Sequence, residues 1–209
     1  MGEVHKATLS PSKQELVEGW LTSRGWARGR TVADKVAEYR LDDPAGEVGV
    51  ETILWRLDDG AVVQTALTYR AEPLAGAEKH LIGTTQHSVL GERWVYDGCG
   101  DPVWASTLAT AILTGGRQSQ MYFEDGGQRV DIPARMQVRG SGRDDQGVTV
   151  DAIDGVEDDG DTTVTRAGDV ELVLARVVGT SLGGGPHLSG TVADSSGGET
   201  AVLAVLRTT

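Results

Sequence analysis

The chain has 209 residues and a formal net charge of −12. That length suits one sizeable domain or two small ones, with ordinary apolar content for a packed core. The acidic balance, with Lys and Arg dispersed, excludes a phosphate-backbone partner; no apolar run approaches a membrane span, and a single cysteine, Cys99, excludes an internal disulfide and a cysteine-built zinc site.

The N-terminus, MGEVHKATLSPSKQE, lacks the basic-then-apolar layout of a signal peptide, so a cytosolic protein is expected. Ser10 before Pro11 reads as an N-cap with proline in the first helical position, predicting a helix over about 11–22. Leu16, Val17, Trp20 and Leu21 form its apolar stripe. Residues 22–33, rich in Arg, Gly and Thr, read as a loop with Trp26 tucked back as a plug.

Short alternating segments follow. Ala37, Tyr39 and Leu41 share one face of a strand, and Glu38 and Arg40 the other. Asp43-Pro44-Ala45-Gly46 is a turn. Segments 47–57 and 61–70 form a hairpin across Asp58-Asp59-Gly60, with Val63, Leu67 and Tyr69 facing inward. Two more strands are expected over 79–88 and 91–97. A second helix, about 102–114, starts near Asp101-Pro102 and buries Val103, Trp104, Leu108, Ala111 and Ile112, and Gly115-Gly116 stops it.

From 117 onward, short β-like runs alternate with Gly- and Asp-rich turns: MYFE, QRVDIPARMQV, GVTVDAI, DTTVTRAG, DVELVLARVV and ETAVLAVLR. Both faces of 170–178 and of Ala201 to Leu206 are apolar, as in central strands covered on two sides. The fold class is therefore α+β: a mainly antiparallel, curved sheet with two helices, then a β-rich second half. The break at Gly115-Gly116 divides the chain into 1–115 and 116–209, the second part adding strands to the first or folding apart.

Candidate chemistry is sparse. Asp151, Asp154, Glu157, Asp158, Asp159 and Asp161 cluster, but no glycine falls sixth in an EF-hand frame, so a solvated hairpin turn is the reading. Ser181 to His187 is glycine-rich without the Gly-Lys-Ser/Thr ending of a P-loop. His5, His80, His87 and His187 make no metal-ligand pair, and there is no Gly-x-Ser-x-Gly elbow. Neither a metal nor a cofactor is expected. Cys99, between two glycines, reads as a small turn residue.

The densest stretch is Gly76 to Val103, which places His87, Arg93, Trp94, Tyr96, Asp97 and Asp101 close together. On a strand, Arg93, Val95 and Asp97 share one face, and Trp94 and Tyr96 the other. Two readings are open. Trp94 and Tyr96 are sheet core while Arg93 pairs with an acid; or the six side chains form a partner or sugar surface, with aromatic faces stacking on a hexose. Trp55 and Trp104 fit core roles or a contribution to that surface.

SPSKQELVEGWL, LDDPAGEVGVET, LTYRAEPLAGAEKHLIGT and HSVLGERWVYDGCGDPV occur in that order from Ser10 to about Val103. This stretch resembles the N-terminal cap of actinobacterial maltokinases. The resemblance implies an α+β cap and a setting in maltose, trehalose and α-glucan metabolism, without catalytic groups. Gly140-Ser141-Gly142 with Gln146-Gly147-Val148-Thr149-Val150 is a candidate degenerate phosphate loop, and Glu171 to Arg176 resembles the strand that bears the phosphate lysine in these kinases. Ala175 stands at that lysine's place, Arg176 points to the opposite face, no lysine follows Lys79 and no asparagine is present. With about thirty residues after Arg176, a catalytic lobe is not expected.

The expectation is a non-catalytic, cap-like binding or regulatory protein. Its partner would be an enzyme of trehalose, maltose or α-glucan metabolism, a separate kinase chain, or an α-glucan or small sugar. The alternatives are a split half of an ATP-dependent sugar kinase and a carbohydrate-binding module.

Overall fold

A computed structural model describes residues 2–3, 7–192 and 199–208. In chain order its elements are β1 (Gly2–Glu3), β2 (Leu9–Ser10), α1 (Lys13–Leu21), β3 (Val32–Leu41), β4 (Gly49–Leu57), β5 (Val62–Arg70), β6 (Leu81–His87), β7 (Gly91–Asp97) and α2 (Pro102–Thr114). They continue with β8 (Met121–Asp125), β9 (Gln128–Ile132), β10 (Met136–Gly140), β11 (Gly155–Asp159), β12 (Thr162–Ala167), β13 (Val170–Ala175), β14 (His187–Val192) and β15 (Thr200–Thr208).

Two six-stranded antiparallel sheets dominate. The first has strand order β2-β6-β7-β5-β4-β3 and the second β10-β14-β15-β13-β12-β11. A small third sheet, β1-β8-β9, contains a parallel β1–β8 pair. The fold is α+β with a β-rich second half, and β13 and β15 are central strands, as their two apolar faces predict.

The first sheet is covered on both faces. One face packs under α1: Val17 and Leu21 meet Ile53, Trp55, Val63, Leu67 and Val95, with Trp26 folded back among them. The other face packs on α2 and, through it, on the second sheet, in a cluster that runs from Leu54 and Ala66 through Trp104, Leu108 and Ile112 to Leu172, Leu188 and Leu203. Helix α2 is apolar on several sides because it has neighbours on several sides.

Direct bonds also join the sheets. Gln64 Nε2 donates to Ala175 O at 2.6 Å and Leu203 O at 2.8 Å. Thr165 Oγ1 donates to Cys99 O at 3.0 Å. Gln64 N donates to Arg176 O, and Val178 N to Val62 O.

Three local expectations are corrected. The α1 cap is Ser12, not Ser10: Ser10 is taken up in β2 opposite Gln86, and Ser12 makes a two-way capping box with Glu15 three residues on. GVTVDAI is not a strand. Its backbone runs beside α2, where Thr110 Oγ1 accepts from Val148 N at 3.0 Å and Ser106 Oγ from Val150 N at 2.8 Å. His187, read as the last residue of a glycine-rich loop, instead opens β14, whose remaining residues carried no assignment.

Candidate functional site

The six side chains of the dense stretch divide into two groups. Asp101 is fully buried and caps α2, accepting from Val103 N at 2.9 Å. It also takes a two-pronged pair from Arg70, Nε at 2.7 Å and Nη2 at 2.6 Å, and a 2.7 Å bond from Thr68 Oγ1. Those bonds to Asp101 lift the Arg70 pKa against the opposing effect of burial. Tyr96 is buried, and its hydroxyl accepts from Leu74 N at 2.8 Å.

Asp97 is buried and pairs with Arg176 Nη2 at 2.6 Å. Arg176 is wholly buried; its Nε donates to Thr163 Oγ1 at 2.7 Å and its Nη2 also reaches Cys99 Sγ at 3.2 Å. The guanidinium lies 5.0 Å from the Trp26 ring and 5.6 Å from Trp20, a cation–π arrangement. Burial works against its charge, but the Asp97 carboxylate outweighs that and raises the Arg176 pKa above the ordinary arginine value. Burial pushes the Cys99 thiol pKa up, so this cysteine stays protonated and inert.

His87 and Arg93 belong elsewhere. Both line a cleft of about 700 Å³ at the end of the first sheet, bounded by α1, the β3–β4 turn and the β6–β7 turn. Trp94 is half-buried and is not among the lining residues, so the six do not form a single surface. His87 Nδ1 accepts from Val89 N at 3.2 Å and Leu90 N at 3.1 Å, which shapes the β6–β7 turn.

At one end of the cleft sits a charged group that the residue pattern did not single out. Lys13 Nζ is 2.9 and 2.7 Å from the two Glu51 oxygens, and Tyr69 OH donates to Glu51 Oε2 at 2.7 Å. Burial pushes the Glu51 pKa up, but the Lys13 and Arg40 charges and the Lys13 and Tyr69 hydrogen bonds outweigh it, leaving the carboxyl below its ordinary value. Burial, then the Glu51 charge, hold the Tyr69 phenol well above its ordinary value. A lone acid inside the apolar run Val48–Leu57 was the available signal, because a buried carboxylate needs a cation.

The candidate phosphate loop is committed internally. Gly142 N donates to Ile112 O at 2.8 Å and Asp144 N to Leu113 O at 2.9 Å. A Cβ on Gly140 would overlap Ala111 O, and one on Gly142 would overlap Leu113 O. These glycines let the loop press against the C-terminal carbonyls of α2. Ala175, at the expected lysine position, is buried and its carbonyl holds Gln64.

The cap-like segment can now be placed. Residues 20–101 match the maltokinase N-terminal cap domain. The match runs from the last turn of α1 to the N-cap of α2, takes in β3 to β7, and contains all six residues of the dense stretch. No curated protein matches the chain. Among the described residues no helix is long and apolar enough to cross a membrane. His5 lies outside the described residues.

Proposed function

We propose that this protein is a non-catalytic, cap-like module that binds and regulates an enzyme of maltose, trehalose or α-glucan metabolism. The observation that carries the reading is the cap-domain match over 20–101. It is supported by the arrangement around Gly140 to Val150, where the glycines and amide groups that would cradle a phosphate instead close on α2. Arg176 supports it as well, because a guanidinium locked against Asp97 under two indoles has no reach to a nucleotide.

The reading is tested by adding the pure protein to a maltose-phosphorylating enzyme and to a glucan-processing enzyme. A saturable change in kcat or KM of one of them is expected, with no ATP consumption by the protein alone and no heat of ATP binding. Maltose-dependent ATP turnover by the pure protein would overturn it in favour of the kinase-half reading.

A further inference from the structure

The cleft beside Tyr69 is lined by two arginines, Arg40 and Arg93, that hold no ion pair among the described residues, although the Arg40 charge acts on the Glu51 and Asp42 carboxylates. Beside it, Glu51 is bonded to Lys13 and Tyr69, and in its lining the Asp43 carboxylate accepts from Ala45 N, Glu47 N and Val48 N at 2.9–3.0 Å. Asp43, which lines the cleft with Asp42 and Glu47, and the buried Glu51 beside it are thus internally satisfied. The lining arginines are not. Among the described residues, the Arg40 guanidinium makes no hydrogen bond or ion pair, and the Arg93 guanidinium makes one long bond, 3.4 Å, to the neighbouring Glu92 carbonyl.

Register puts both arginines on one sheet face. Arg40 pairs with Glu51, Glu51 with Leu67 and Leu67 with Asp97, and directly paired residues share a face. Arg93 lies four residues before Asp97 on β7, an even step, so it faces the same way. Strands β3 and β7 are separated by two strands, about 14 Å. Arg40 narrows that gap by lying over β4: its Nη2 is 2.9 Å from where a Gly49 Cβ would stand. The missing side chain at Gly49 makes room for the guanidinium.

A half-buried guanidinium presents a rigid fork of donors that matches carboxylate and phosphate oxygens. Two such forks, neither held in an ion pair among the described residues, line one cleft on a chain of net charge −12 and are placed against the general field of the protein. We propose that this cleft is a binding site for a small molecule carrying a phosphate or carboxylate group, with Arg40 and Arg93 as its anion-binding residues. The proposal rests on the cleft and does not depend on the regulatory reading above.

Titration calorimetry with glucose 6-phosphate, glucose and succinate tests it on the full chain. Glucose 6-phosphate is expected to bind saturably, weakening as NaCl is raised, while glucose does not bind; saturable binding of succinate alone assigns the site to carboxylates. Arg40→Gln and Arg93→Gln are each expected to weaken binding at least tenfold. Arg40→Lys should retain part of it. Arg56→Gln, which removes an exposed arginine paired to Asp34 outside the cleft, should leave it unchanged. The arginines sit on different strands, Arg93 has one long bond to lose, and Glu51 keeps Lys13 when the Arg40 charge is removed, so melting temperatures within a few degrees of the parent are expected for both. Equal binding of glucose and glucose 6-phosphate, no binding of either anion, or unchanged affinity in both glutamine variants would overturn the proposal.

Discussion

Asp97 and Arg176 are 79 residues apart and form a buried pair linking β7 of the first sheet to the segment after β13 of the second. A buried pair is weak evidence of net stabilisation, because desolvating two charges costs about as much as their attraction returns. Breaking it is another matter. Asp97→Ala leaves a guanidinium with no counter-ion in a dry site and is expected to cost about 3–5 kcal/mol in urea unfolding. The double variant Asp97→Leu with Arg176→Met, which puts apolar volume in place of both charges, should recover most of that loss. A double variant as unstable as the single would show that the cost came from packing and not from the orphaned charge. His80 adds a pH dependence nearby. Its ring packs so closely on Gly100 that a Cβ there would overlap it. Burial, followed by the Lys79, Arg24 and Arg176 charges against the opposing pull of Asp97, lowers its pKa below the ordinary 6.5. The unfolded chain therefore binds the proton more readily than the folded one, and stability is lost as pH falls through about 6.5. The melting temperature is expected to drop between pH 7.5 and 5.5, with a shallower drop in His80→Gln; parallel curves for the two proteins would refute the assignment.

At the scale of elements, the strands of the first sheet were legible because period-2 patterning and turn residues agree there: the Asp58-Asp59-Gly60 turn joins β4 to β5 as its residues predict. Helix α2 was legible from Asp101, Pro102 and Gly115, which the fold uses as cap, first turn and left-handed C-cap. The Gly140 to Val150 segment misled because its meaning depends on a neighbour distant in sequence. Glycines at close spacing signal a near approach of backbone to something, and sequence does not say whether that is a phosphate or a helix. The β14 strand, HLSGTV, escaped for a related reason: its Gly190 lowers strand propensity but faces Met136 and Leu203, where a Cβ would crowd both. The cleft was half legible. His87 and Arg93 were singled out, whereas Arg40 and Glu51 became neighbours only through β3–β4 pairing. If Gly140 serves packing against α2, Gly140→Ala should cost upwards of about 1–3 kcal/mol, since its conflict is with backbone that has little room to move. Gly155→Ala on β11, where nothing lies within 4 Å, should be nearly neutral. A stable, folded Gly140→Ala protein would return that loop to the list of ligand-binding candidates.

For the whole molecule, α2 is the element that ties the two halves together. It follows β7 in the chain, yet its buried side chains Trp104, Leu108 and Ile112 belong to a cluster that includes Leu172, Leu188 and Leu203 of the second sheet. Exposing a side chain of this size costs about 1.5–3 kcal/mol, and domains retain only about 5–15 kcal/mol in all. Removing residues 116–209 would uncover several such side chains at once, along with the face of the first sheet that carries Leu54 and Ala66. It would also leave Gln64 without both carbonyl acceptors and Asp97 without Arg176. The fragment 1–115 is therefore expected to keep much of its strand content but to lose fixed packing, with narrow proton chemical-shift dispersion and binding of a hydrophobic dye. Adding a separately produced 116–209 fragment should restore dispersion and displace the dye, because the second sheet supplies the missing half of the core. A cooperative melt of 1–115 alone, with native-like dispersion, would show instead that the first sheet and its two helices are sufficient, and that the second sheet is an added layer on a finished domain.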